Sequence, residues 1–199
     1  MIHQVIDKIY EIELPIPFPL KSMNVYFIDD SPRTLVDAGI KTEASFETLK
    51  KGLETIGVSL SSLERILITH GHLDHYGQAK RLSLLSGAPI YIHSKEYGRI
   101  HFFDDSLRFM KSVLLRNGAP ETLVNETINY IESARIMADS LDEAFFLDDG
   151  DSILFKSMSW KTIHCPGHAP GMICFYWPEE KILFLKSSFL KCNPLHSTA

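Results

Sequence analysis

The seven-residue stretch from Thr69 to His75, which reads THGHLDH, constrains this chain more than any other feature. It directly follows the apolar run Ile66-Leu67-Ile68, which predicts a short buried strand. Gly71 and the polar residues after it predict a turn, and a helix is expected from Tyr76 to Leu85. A loop at a strand end has a rigid scaffold behind it yet faces an opening, so its side chains are well placed for chemistry.

The spacing within this stretch favours a metal site. His70 and His72 are two positions apart, so in an extended chain their imidazoles point the same way and can hold one ion. Asp74 and His75 follow once the chain has begun to turn, and they can face a second ion or orient a water on the first. A histidine-rich surface loop, or a helix cap with Asp74 as acceptor, is the alternative. Four ligand-type residues at this spacing favour metal binding over both.

A second patch lies at residues 164–171, HCPGHAPG, between two strand-like runs. It resembles the Pro-Gly-His-Thr-Pro-Gly signature of the metallo-β-lactamase fold superfamily, and the His-x-His-x-Asp-His stretch resembles that family's first metal motif. The resemblance extends from Asn24 to about Leu185. It implies an α/β (α+β) fold, an αββα sandwich of two mixed β-sheets with outer helices.

The resemblance also implies the site. Its metal ligands would be His70, His72, Asp74, His75 and His168. Asp74 and His72 are the candidate catalytic residues, with Asp74 orienting a water or taking its proton. The expected metal is zinc, with one ion favoured and two possible in principle, and iron and manganese stay open.

Three residues outside the two motifs are also candidates for the site. Asp37 at a strand end is expected either to cap a turn or, by the resemblance, to brace the metal loop without binding metal. Ile16 and Phe18 lie in a proline-rich loop that borders the active-site mouth in the family. They are expected either to touch substrate or to cover the core.

The chain departs from the family pattern after the strand that ends at Leu185. Lys186 and Ser187 stand where the family has Gly and a metal-bridging Asp, and neutral serine is a poor zinc ligand. The family's last histidine ligand belongs to a later segment that is missing before Ala199, and His196 is too near Ser187 to replace it. The sequence therefore predicts a tight three-histidine site, a weak second site and a chain that is truncated or incomplete.

The whole chain, 1–199, is expected to form a single domain, with a helical insertion at 95–141 between the two metal motifs. One apolar stripe runs through Phe103, Leu107, Met110 and Leu114, and a second runs from Val124 through Ile128 to Leu141. We expect these stripes to pack on the sandwich or on a partner chain, and the segment to shape the substrate pocket or a homodimer contact.

Composition and net charge limit the kinds of binding partner that are expected. The formal net charge of −5 argues against nucleic acid and against an anionic membrane surface. The three cysteines are few and odd in number, which argues against a disulfide framework. No signal peptide or membrane-spanning run is visible. A cytoplasmic protein with a small-molecule substrate is expected.

By resemblance, the function is that of a metal-dependent hydrolase that cleaves an ester, thioester, lactone or amide through a zinc-activated water. Glyoxalase II-like or lactonase-like chemistry is favoured over β-lactam cleavage. The alternatives are a degenerate member that binds metal without turnover, a mononuclear iron oxidoreductase similar to the persulfide dioxygenases, and a phosphodiesterase or nuclease.

Overall fold

The computed structural model describes residues 2–185 and the strand at 188–191. The strands are β1 (Ile2–Ile6), β2 (Ile9–Pro15), β3 (Ser22–Ile28), β4 (Thr34–Val36), β5 (Arg65–Leu67), β6 (Ile90–Ile92), β7 (Phe145–Phe146), β8 (Ser152–Leu154), β9 (Ser159–His164), β10 (Ile173–Trp177), β11 (Ile182–Leu185) and β12 (Ser188–Lys191). The helices are α1 (Glu43–Thr55), α2 (Leu73–Tyr76), α3 (Ala79–Ser86), α4 (Ser94–His101), α5 (Phe103–Arg116) and α6 (Glu121–Ala134). Short 3₁₀ turns lie at Leu60–Ser62 and Arg135–Met137.

The first sheet follows chain order from β1 to β7. Its first four strands pair antiparallel, because short turns connect them. From β4 onward the strands pair parallel, since each connection passes through at least one helix. The carboxyl ends of β4, β5 and β6 therefore meet at one edge, and residues 37, 69–72 and 93 follow them there.

The second sheet has the order β12-β11-β10-β9-β8, and every described pair in it is antiparallel. Together with the first sheet and the helices it confirms the predicted fold class. The second sheet is antiparallel rather than mixed, because the segments that join its consecutive strands are too short to hold a crossover helix.

Strand β3 shows how the layers are filled. Side chains alternate between the two faces of a strand. Val25 and Phe27 pack in the cluster that the first sheet forms with its helices. Tyr26 and Ile28 pack in the cluster between the two sheets, with Trp160 of β9. The near-continuous apolar sequence of β3 is thus that of a strand covered on both faces.

Trp160 is fully buried at the centre of the cluster between the sheets and stacks on Phe184 with ring centroids 4.4 Å apart. We expect Trp160→Ala to lower the free energy of unfolding by about 3–5 kcal/mol, because a large cavity replaces the indole. Leu154→Ala on the neighbouring strand is the control, since Leu154 is 63% exposed and should change stability by less than about 0.5 kcal/mol. Urea denaturation of both variants tests this; equal losses would contradict the assignment of the core.

Two of the predicted helices differ in the structure. The expected helix over Tyr76–Leu85 is divided between α2 and α3 at Gly77-Gln78, where the Gln78 amide donates to the Ala38 carbonyl at 2.7 Å. The second apolar stripe does not continue to Leu141 as one helix, because α6 ends at Ala134.

Helices α5 and α6 pack mainly on each other. Leu107, Val124 and Ile128 form a small cluster of their own, and the more exposed side chains of the two stripes surround it. These stripes therefore do not merge with the sandwich core. None of the helices in the described part of the chain is long and apolar enough to span a bilayer.

Candidate metal centre

Two loops bring three imidazoles together. His70 and His72 follow β5, and His168 lies in the loop between β9 and β10. Their candidate ligand atoms all lie within 4.8 Å of one another. His70 Nε2 is 3.1 Å from His72 Nδ1, and the His168 ring centroid is 4.9 Å from that of His70 and 4.5 Å from that of His72. The two sequence motifs therefore converge on one point.

A hydrogen-bonded chain sets the orientation of His70. The buried Asp37 carboxylate accepts from the Thr69 backbone N–H at 2.8 Å and from the Thr69 hydroxyl at 2.9 Å. Since a carboxylate only accepts, the single hydroxyl proton points to Asp37, and Thr69 Oγ1 must accept from His70 Nδ1, 3.0 Å away. His70 therefore presents the bare Nε2 to the cluster, which is the tautomer a metal ligand needs.

Asp37 also holds His75. His75 Nδ1 donates to Asp37 Oδ2 at 2.7 Å, which directs His75 Nε2 to the side of Asp74, 3.5 Å from its Oδ2. Asp37 adopts a left-handed backbone conformation with φ of 61°. A buried aspartate in this sparsely populated region is typical of functional sites, where surrounding structure maintains the strain. Asp37 thus positions residues of the first metal motif.

The electrostatics of the cluster suit a cation. Burial first, and then the neighbouring His168, lower the pKa of His72 to about 4. His72 is therefore a neutral imidazole at neutral pH, with its lone pair available. Three imidazoles whose candidate ligand atoms lie this close together match the ligand set of a catalytic zinc site with one open position, so the residues present fit a zinc-like ion.

Sequence reasoning assigned no role to Glu96, which the structure places between the two metal loops. Its side chain is fully buried. Glu96 Oε2 accepts from the Gly71 N–H at 2.8 Å and Oε1 accepts from the Gly171 N–H at 2.6 Å, while Arg99 Nη1 lies 3.1 Å from Oε2. One carboxylate therefore fastens the loop of His70 and His72 to the loop of His168. An acidic residue in a helix's first turn is common, so the sequence carried no signal for this role.

Both glycines are required by this close approach. A Cβ at Gly71 would lie 2.8 Å from Glu96 Oε2, and a Cβ at Gly171 would lie 2.8 Å from His93 Nδ1 and 2.9 Å from Glu96 Cγ. Beside them the Ile173 N–H donates to the Thr69 carbonyl at 2.9 Å, which joins the two loops a second time. Gly71 and Gly171 are therefore packing positions around the metal centre.

Ile16 and Phe18, the two residues expected at the active-site mouth, lie in different surroundings. Phe18 lines a cavity of about 880 Å³ that also touches His72, Asp74 and His168. Ile16 is buried in the core cluster under the first sheet and does not line this cavity. Ile16 therefore covers the core, whereas Phe18 packs against the same core cluster and also lines the cavity, and substrate contact by Phe18 stays a prediction.

The prediction about a second metal site is not tested. Lys186, Ser187 and His196 lie outside the described residues. Within the described part of the chain, the group of three ligand-type side chains close enough to share an ion is His70, His72 and His168, and it does not include Asp74 or His75. A second ion that used only these two residues would lack protein ligands, so the second site stays a prediction of weak binding.

Comparison with known proteins identifies the family of this chain. The metallo-beta-lactamase superfamily profile matches residues 20–185. The chain is 25% identical over 178 residues to the probable metallo-hydrolase YqjP of Bacillus subtilis, covering 85% of this chain and 53% of that protein. It is 24% identical over 171 residues to the hydroxyacylglutathione hydrolase GloC of Haemophilus influenzae, covering 86% of this chain and 68% of that protein.

Among solved structures, the metallo-beta-lactamase family protein TTHA1429 of Thermus thermophilus superposes with a TM-score of 0.80 at 26% identity, covering 90% of this chain and 59% of that one. The chain thus spans about half to two-thirds of the length of these relatives. The profile match covers most of the chain and contains both histidine motifs. By its sequence, its fold and its three converging histidines, this chain belongs to the metallo-beta-lactamase superfamily.

Proposed function

We propose that this protein is a metal-dependent hydrolase of carboxylic esters or thioesters. The observation that carries the proposal is the convergence of His70, His72 and His168 beside a cavity large enough for a small-molecule substrate. Similarity to a protein named hydroxyacylglutathione hydrolase, which by that name acts on a thioester, supports this bond type over β-lactams.

The ion expected in this cluster is zinc. A zinc ion held by three imidazoles polarises a carbonyl and lowers the pKa of a bound water to about 7. His70 and His72 are buried or half-buried, whereas His168 is exposed, so the cluster opens toward the cavity on the side of His168. That opening is where a substrate carbonyl would approach.

Asp74 is the candidate proton acceptor. It lines the same cavity as His72 and His168, and its side chain is only 25% exposed. His75, itself held by Asp37, lies 3.5 Å from the Asp74 carboxylate and limits its orientation. A carboxylate held there can orient the attacking water, take its proton and pass that proton to the leaving group.

We expect Asp74→Asn to lower kcat by about 10²–10⁴-fold while the zinc content of the chain stays near that of the wild type, because an amide cannot accept the proton. The matched control is Asp7→Asn, an exposed aspartate in the turn between β1 and β2. Steady-state kinetics and elemental analysis of the same preparations provide both readouts. Unchanged kcat in Asp74→Asn would remove this residue from the mechanism.

A substrate panel tests the proposal itself. The protein is re-loaded with zinc, iron or manganese in separate preparations. Each preparation is assayed on esters, thioesters, lactones, amides, a phosphodiester and glutathione persulfide. Turnover of esters or thioesters is the expected result. Oxygen-dependent persulfide turnover by the iron form alone would favour an oxidoreductase, and metal binding without any turnover would favour a degenerate member; either result would overturn the hydrolase proposal.

A further inference from the structure

We infer that the preferred substrate carries a long apolar acyl chain, which lies along the cavity between the metal loops and helices α5 and α6. This inference rests on the proposed hydrolase function and names the substrate class of the same site. Its acyl carbonyl would lie at the histidine cluster and its hydrocarbon tail against the two helices.

The walls of the cavity motivate this assignment. One end is formed by the metal loops, where His72 and His168 lie. Helices α5 and α6 also line the cavity, and most of the side chains that they contribute are apolar. The main apolar side chains of this helical wall are Phe103, Leu107, Met110, Val113, Leu114 and Ile131.

The apolar wall does not belong to the sandwich core. Phe103, Met110, Leu114 and Ile131 are partly buried and pack around the separate cluster of α5 and α6. Their remaining exposed surface is directed into the cavity that the metal loops share. Because an acyl chain placed there removes apolar surface of both partners from water, the free energy of binding improves with each methylene.

The polar groups of the cavity are distributed unevenly. The metal loops and α4 contribute the charged side chains, among them Lys95 and Arg99, whereas α5 and α6 contribute only the hydroxyls of Ser106 and Tyr130. Arg99 is already engaged by Glu96. The helical wall therefore offers few partners for a polar acyl group and favours a hydrocarbon one.

A chain-length series tests the inference on zinc-loaded protein. The probes are N-acetylcysteamine thioesters from acetyl to decanoyl, which share one leaving group. We expect kcat/KM to rise about threefold per methylene, and by at least about 10²-fold between acetyl and octanoyl. A lactoyl thioester, with its polar hydroxyl, should be no better than the propionyl one.

Two variants on α5 test whether the acyl chain of the substrate lies in the cavity. Met110→Trp fills part of it and should lower the ratio of octanoyl to acetyl kcat/KM by about tenfold or more. Leu115 is on the same helix, is 39% exposed and does not line the cavity, so Leu115→Ala should leave this ratio unchanged. Equal ratios in both variants and the wild type would overturn the assignment.

A binding measurement separates this inference from the hydrolase proposal. Octanoate should bind more tightly than acetate by calorimetry, with a negative heat-capacity change, and Met110→Trp should weaken it. Thioester turnover with a flat chain-length profile would overturn the acyl site and leave the hydrolase proposal intact. No turnover of any thioester or ester, with octanoate binding that Met110→Trp weakens, would reject the hydrolase and support the acyl site.

Discussion

His168→Ala is expected to lose tightly bound zinc and at least about 10³-fold in kcat/KM. His168 is the sole ligand-type residue that the second loop contributes to the described cluster, so its loss leaves two imidazoles from one loop. Changes to residues that only support a ligand already cost about 10–100-fold in metal affinity, and loss of the ligand itself should cost more. Elemental analysis after re-loading and steady-state kinetics measure the two effects.

His164→Ala is the matched control. It is also a histidine of the second patch, but it stacks on His93 with ring centroids 4.5 Å apart and is outside the three-histidine cluster. Its replacement should leave metal content near one ion per chain. Equal metal loss in His164→Ala and His168→Ala would mean that the loop as a whole, rather than the His168 imidazole, holds the ion.

Glu96→Ala is expected to lower both stability and metal affinity. It leaves the Gly71 and Gly171 N–H groups without their carboxylate partner at a buried position. Each buried donor left unpaired costs about 1–3 kcal/mol, so the free energy of unfolding should fall by about 2–6 kcal/mol. Because the two ligand loops are then less firmly joined, zinc affinity should fall by about 10–100-fold.

Two further variants separate positioning from stability. Glu96→Gln keeps one acceptor oxygen and should recover part of the metal affinity, whereas Arg99→Ala removes only the half-exposed ion partner and should cost less than about 1 kcal/mol. Glu126→Ala, an exposed glutamate of α6, controls for loss of one negative charge. Destabilisation by Glu96→Ala with unchanged zinc affinity in its folded fraction would show that Glu96 stabilises the fold without positioning the ligands.

The features that could be predicted from the sequence are those carried by residues that lie close together along the chain. His70 and His72 share one loop, and the resemblance of both motifs to one family implied that His168 of the second patch would join them. The confirmed fold class was likewise implied by the resemblance of these motifs to that family. Phe18 and Ile16 could not be separated, because both are apolar and only the path of the loop decides which one meets the cavity.

Contacts between distant segments were the parts that sequence could not supply. Glu96 is 25 residues from Gly71 and 75 from Gly171, and nothing in its own helix marks it as their common acceptor. The apolar stripe of α5 has the same helical period whether it faces a core or a cavity, and the structure shows that part of it faces the cavity. Period alone fixes the face of a helix, not what covers it.

The most direct test of the three-histidine metal site is an anomalous difference map at the zinc edge from a crystal of the wild-type chain re-loaded with zinc. We expect a strong peak between His70 Nε2, His72 Nδ1 and the His168 imidazole, at about 2.0–2.1 Å from each ligand nitrogen. Near Asp74 and His75 we expect a weak peak or none. A strong peak elsewhere, with these three histidines unliganded, would show that they do not form the metal site.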